Sequence, residues 1–136
     1  MRRLVLLTTA MTAAMALLAG GALAHHSGAM FDRLKTVELK GVVKEYQYIS
    51  PHAWIRLMVQ DGRKPPVEWG IEGGGAGLMR NWGIIPQRLK AGDRISLRMH
   101  PLKDGRTGGA LVDITLADGT LVRTFTSHQQ VGKPRF

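Results

Sequence analysis

A chain of 136 residues with 19 basic side chains, 10 acidic ones and five histidines has room for one domain. It contains no cysteine, which excludes disulfides, thiolate chemistry and a cysteine-linked lipid anchor. Its formal charge of +9 suits anionic partners and equally describes a well-solvated surface.

Residues 1–24 read as a secretory signal peptide. Met1-Arg2-Arg3 is a short basic start, Leu4–Leu18 is an apolar run, and Ala22-Leu23-Ala24 matches a small-x-small cleavage pattern. The run is short for a bilayer span of about 20 residues, so the mature chain is expected to lack a transmembrane segment. Cleavage after Ala24 would leave 112 residues and a charge of +7, because Arg2 and Arg3 depart with the leader. The expected location is periplasmic or secreted. Nucleic acid is not an expected partner there; an envelope component or an envelope protein is.

The mature chain reads as one domain over residues 25–126 and a flexible basic tail over 127–136. His25–Asp32 is an arm. A long first strand, Thr36–Tyr48, places Val37, Leu39, Gly41 and Val43 on one face. Its alternation drifts at Val42-Val43, which predicts a bulge or bend. Ile49-Ser50-Pro51-His52 is a turn, since proline cannot donate to a ladder. The second strand, Ala53–Val59, sets Ala53, Ile55, Leu57 and Val59 against Trp54, Arg56 and Met58. Asp61-Gly62 is a turn signal. The third strand is Val67–Glu72, ended by Gly73-Gly74-Gly75.

Ala76–Trp82 predicts a short helix with Leu78, Met79 and Trp82 on one side, stopped by Gly83. A fourth strand, Arg94–Met99, is closed by His100-Pro101. A fifth, Ala110–Leu116, is expected to turn Ala110, Val112, Ile114 and Leu116 inward. Asp118-Gly119 signals a hairpin into a sixth strand, Thr120–Phe125. Three strands, a short helix and two further strands give the element order of an OB-fold. The expected fold is all-β with one short helix, a small OB-like Greek-key β-barrel.

These segments resemble an uncharacterised bacterial family of exported proteins, domain of unknown function 6152. The resemblance rests on His25-His26-Ser27, Phe31-Asp32, the strand Leu39–Glu45 and Pro51-His52-Ala53-Trp54-Ile55. It continues through Glu68-Trp69 with Glu72, Leu89-Lys90-Ala91-Gly92-Asp93 and Thr115-Leu116-Ala117-Asp118-Gly119. The family more often has asparagine where this chain has Ser50, and a stretch richer in serine, proline and asparagine where this chain has Gly73-Gly74-Gly75. The resemblance implies an exported small domain and no assigned activity.

No serine sits in a nucleophile elbow, and the glycine run lacks the lysine of a phosphate loop. No catalytic constellation is found, so the chain is read as a binding module rather than an enzyme. Four histidines are candidate metal ligands: His25, His26, His52 and His100. Cleavage after Ala24 would give His25 a free amine beside its imidazole, and nitrogen-rich sets of this kind suit copper. In an OB-fold, His52 would lie in the loop before strand two and His100 at the start of the loop after strand four, flanking one ligand face. His25 is expected to fold back toward His52, with His100 or His26 as a further ligand. Imidazole ligates only when neutral, so copper affinity should fall below about pH 6.

The alternative is a non-catalytic module for an anionic or sugar-like envelope component. It would use a face of Trp54, Arg56, Glu68 and Glu72 with the basic loop Lys103–Arg106. Glu68 and Glu72, about 13 Å apart along a strand, are too distant to act together on one bond. A structural adaptor for another envelope protein is the third reading.

Overall fold

The structure, a computed structural model, describes residues 28–124. Residues 28–30 make a turn, and the compact unit that carries the fold begins at Phe31. Its elements are β1 (Val37–Gln47), β2 (Trp54–Val59), β3 (Val67–Glu72), α1 (Ala76–Asn81), β4 (Arg94–Pro101), β5 (Gly108–Thr115) and β6 (Leu121–Arg123). Among the described residues no helix is long and apolar enough to cross a membrane.

β1 curls the sheet into a barrel. Its residues from Val37 to Val42 ladder antiparallel with β4, and those from Val42 to Gln47 ladder with β2. One strand therefore serves two neighbours, and it must bend between them. The register shifts between Val43 and Glu45, a bulge that sharpens the bend. Gly41 sits where β2 crosses most closely. A Cβ built there would lie 2.3 Å from the Met58 carbonyl oxygen and 3.0 Å from the Leu57 side chain. The approach needs a residue without a side chain.

β2 pairs antiparallel with β3, and β4 with β5. β3 then runs parallel to β5, Gly70–Glu72 against Gly108–Ala110. This last pairing closes the order β3-β2-β1-β4-β5 into a five-stranded barrel of the OB type, and β6 adds to the edge of β5. The predicted alternation supplies the core: Leu39 and Val43 from β1, Ile55 and Leu57 from β2, Ile71 from β3, Ile95, Leu97 and Met99 from β4. Met79 of α1, with Ile84 and Leu89 of the connector, belongs to the same cluster.

Two details depart from the pattern read from sequence. α1 buries Met79 completely but leaves Leu78 43% exposed, so its apolar face is narrower than Leu78, Met79 and Trp82 together. In β5 Leu111, Val112, Ile114 and Leu116 are buried, while Ala110 is half-exposed. The cause is a register shift. Arg98 faces Asp113 and Met99 faces Leu111, which leaves Val112 as an extra residue. A bulge reverses the facing of every residue on its far side.

Candidate binding site

The β2–β3 ladder pairs Trp54 with Glu72, Arg56 with Gly70 and Met58 with Glu68. These residues alternate with buried Ile55, Leu57 and Ile71, so all six lie on the outer face of the barrel. At its centre Gly70 leaves the sheet bare. The Arg56 guanidinium lies in that space, 3.0 Å from the position a Gly70 Cβ would take. Its carbon is 5.6 Å from the centroid of the Trp54 ring, within cation–π range. Arg56 Nε is 4.0 Å from Glu68 Oε1, and Lys44 Nζ donates to Glu68 Oε2 at 2.6 Å. The Lys44 hydrogen bond holds the Glu68 carboxyl below its ordinary range.

At the upper end of this face stands His52. Its loop is tied to the end of β3: Ala53 N–H donates to the Gly74 carbonyl at 2.9 Å, and Gly73 N–H to the Ala53 carbonyl at 2.8 Å. The same loop holds the start of α1, where Ala76 N–H lies between the Ile49 carbonyl at 3.1 Å and Ser50 Oγ at 3.2 Å. Ser50 thus caps across to the helix. His52 Nδ1 is 3.0 Å from Glu72 Oε1 and 3.4 Å from the Gly73 carbonyl oxygen. With Glu72 ionised both neighbours only accept, so Nδ1 is the donor, and in the neutral ring that leaves the lone pair on Nε2. The His52 side chain is 42% exposed, whereas that of Glu72 is only 11% exposed. Burial pushes the Glu72 carboxyl above its ordinary value, and His52 offsets this in part.

His100 is placed differently. The ladders join Trp54, Glu72, Ala110 and His100 in one outward row, so His100 lies level with Glu72 but two strands away, about 10 Å in the sheet. It is nonetheless buried, because the arm covers it. Phe31 bridges to Leu102, Asp32 N–H donates to the Pro101 carbonyl at 2.8 Å, and His100 Nδ1 donates to the Lys35 carbonyl at 2.8 Å. The structure therefore brings together His52 with Glu72, and Trp54 with Arg56 and Glu68, but does not join His100 to His52. His25 and His26 lie outside the described residues. Among the described residues no group of three or more histidine, cysteine, aspartate or glutamate side chains is placed to hold a metal ion.

The Arg56–Trp54 stack and the part played by Gly70 were not read from the sequence. The available signal was Gly70 itself, an unfilled outward position in a strand.

Similarity to solved structures is distant. The yeast (S. cerevisiae) mitochondrial single-stranded DNA binding protein Rim1 aligns with 11% identity and a TM-score of 0.49, over 60% of this chain and 92% of that one. TiaS, in its complex with agmatine, aligns with 12% identity and a TM-score of 0.45, over 77% of this chain and 25% of that chain. No curated protein matches the sequence. The strand order and its β3–β5 closure establish the fold without them. A family model does match, over residues 13–111, and the chain belongs to the family it describes, the family of unknown function DUF6152.

Proposed function

We propose that this chain is an exported binding module, released by cleavage after Ala24, that holds a copper(II) ion at His52. The observation that carries the reading is the His52–Glu72 pair. Metal-bound histidines commonly donate their second ring N–H to a carboxylate or backbone carbonyl, which fixes the ring and makes the ligating nitrogen more basic. His52 has both partners on Nδ1, at 3.0 and 3.4 Å, and its ring is half-exposed. Glu72 supports the ring from a largely buried position. Copper(II) favours several nitrogens in a tetragonal set, and in the mature chain the His25 amine and imidazole with His26 would be the candidates to supply them.

The test is copper titration of mature protein beginning at His25, followed by calorimetry and electron paramagnetic resonance. His52→Ala should weaken binding and remove one nitrogen from the spectrum. Adding one residue ahead of His25 should also weaken it, because the amine is then lost from the chelate. Unchanged affinity in both variants would refute the site.

A second reading is favoured by the Arg56–Trp54 stack. With the guanidinium over the indole, that ring face offers N–H donors and not a bare surface for a sugar ring. An anionic envelope component fits this face better than a neutral saccharide. Arg56→Ala separates the readings, since it removes the anion site and leaves His52 in place.

A further inference from the structure

At the opposite end of β2 from His52 the barrel carries a cavity of about 530 Å³ that neither reading uses. Register explains its chemistry. Across β2, β1 and β4 one outward row is Met58, Val42 and Arg94; across β1, β4 and β5 the next is Lys40, Ser96 and Thr115. Lys40 and Arg94 therefore stand on a cross-strand diagonal, about 7–8 Å apart at the backbone. Two cations, two hydroxyls and an apolar wall of Val42 and Met58 line one hollow, and no carboxylate lines it.

The adjoining row shows what a charge-satisfied surface looks like on the same strands. There Glu38 faces Arg98, Arg98 faces Asp113 and Asp113 faces Arg123, alternating in sign. Arg98 donates from Nε to both Asp113 oxygens at 3.0 Å. The cavity row has no such closure. The Arg94 guanidinium has no hydrogen-bond or ion-pair partner among the described residues. Among the described residues Lys40 meets only Glu38, at 3.5 Å, with both side chains well exposed.

We infer that this cavity binds a small organic carboxylate with an apolar body. The anion sits between Lys40 and Arg94 with Ser96 and Thr115 as further donors, and its hydrocarbon part lies on Val42 and Met58. The volume is in the range of small-molecule sites. The site is independent of His52.

Octanoate is the probe, titrated into isotopically labelled mature protein and followed by amide chemical shifts. Shifts are expected at Val42, Ser96 and Thr115, with none at His52 or Trp54. The double variant Lys40→Gln, Arg94→Gln should bind octanoate at least about tenfold more weakly, since each hydrogen bond to a charged group is worth about a factor of ten or more. Both side chains are exposed, and an unchanged spectrum of the free variant checks that it folds. Octanol and inorganic phosphate test the two halves of the ligand and should each bind far more weakly. Octanol binding as tightly as octanoate, phosphate alone reproducing the shifts, unchanged affinity in the double variant, or shifts confined to the β2–β3 face would each overturn the proposal.

Discussion

Glu72→Gln separates what the buried carboxylate does for the ligand from what it costs the fold. The substitution keeps the shape and keeps an oxygen that can accept from His52 Nδ1 at the 3.0 Å seen for Glu72. It removes only the charge. Partners behind a metal-bound histidine typically change affinity by about 10–100-fold, or about 1.4–2.7 kcal/mol. Copper affinity of the variant should fall within that range, and His52→Ala should cost more. Stability should move the other way. Burial raises the folded pKa of Glu72 above its ordinary value, with His52 pulling it back. A carboxyl raised in this way is stabilised protonated, so its charge costs stability above the folded pKa. That cost disappears as pH falls through the folded pKa toward the ordinary one.

Metal-free Glu72→Gln should therefore melt above the parent at neutral pH, with the gap closing on acidification. The measurement is a thermal scan series in chelator between pH 4 and 8, paired with copper calorimetry at neutral pH. If the metal-free variant is less stable at neutral pH, or copper affinity does not change, Glu72 is an ordinary structural carboxylate and the argument for His52 loses its support.

Three other outcomes follow from the geometry. Gly41→Ala puts a Cβ 2.3 Å from a backbone oxygen that no rotamer change can move, so denaturant unfolding should show a loss at or above the upper end of about 1–3 kcal/mol. Arg98→Met strands the buried Asp113 carboxylate; the loss should approach about 3 kcal/mol, reduced because the Arg98 side chain is 50% exposed, and Asp113→Asn in the same background should recover part of it. Asp118 accepts from the Thr120 hydroxyl and N–H and from Arg88, which hold its carboxyl down to about 2 from an ordinary 3.8. Its stabilisation is complete above the ordinary value and lost as pH falls toward 2, so the melting gap between the parent and Asp118→Asn should be constant above about pH 4 and close near pH 2.

The fold was legible because it rests on period-two alternation, which the sequence states directly in β1, β2 and β4. β5 shows the limit. Ala110, Val112, Ile114 and Leu116 alternate as written, and nothing in the residues marks Val112 as the one that steps out of the ladder. A bulge is decided by what the partner strand offers, here Arg98 reaching Asp113. The Val43–Glu45 bulge was legible because it breaks an alternation between apolar and charged residues. His100 shows a second limit. Its position at the level of Glu72 follows from strand order, but its burial depends on the arm crossing over it to bring the Lys35 carbonyl to Nδ1. That is a contact between residues 65 apart, with no local signature.

The candidate site was half legible for the same reason. Trp54, Arg56, Glu68 and Glu72 share a face because they share a parity, and parity can be read. Which of them touch depends on registration, and Gly70 decides it. A Cβ there would lie 3.0 Å from the Arg56 guanidinium, whereas glycine leaves room for that group, its carbon 5.6 Å from the Trp54 ring centroid. Arg56 lies over the indole and near Glu68, while Glu72 remains with His52. Two neighbouring carboxylates on one strand therefore differ in character. Glu68 is half-exposed and held low by Lys44; Glu72 is largely buried and raised. The physical reason to look for the ligand at His52 is geometric: Glu72 holds Nδ1 at 3.0 Å from a largely buried position, while the His52 side chain stays 42% exposed.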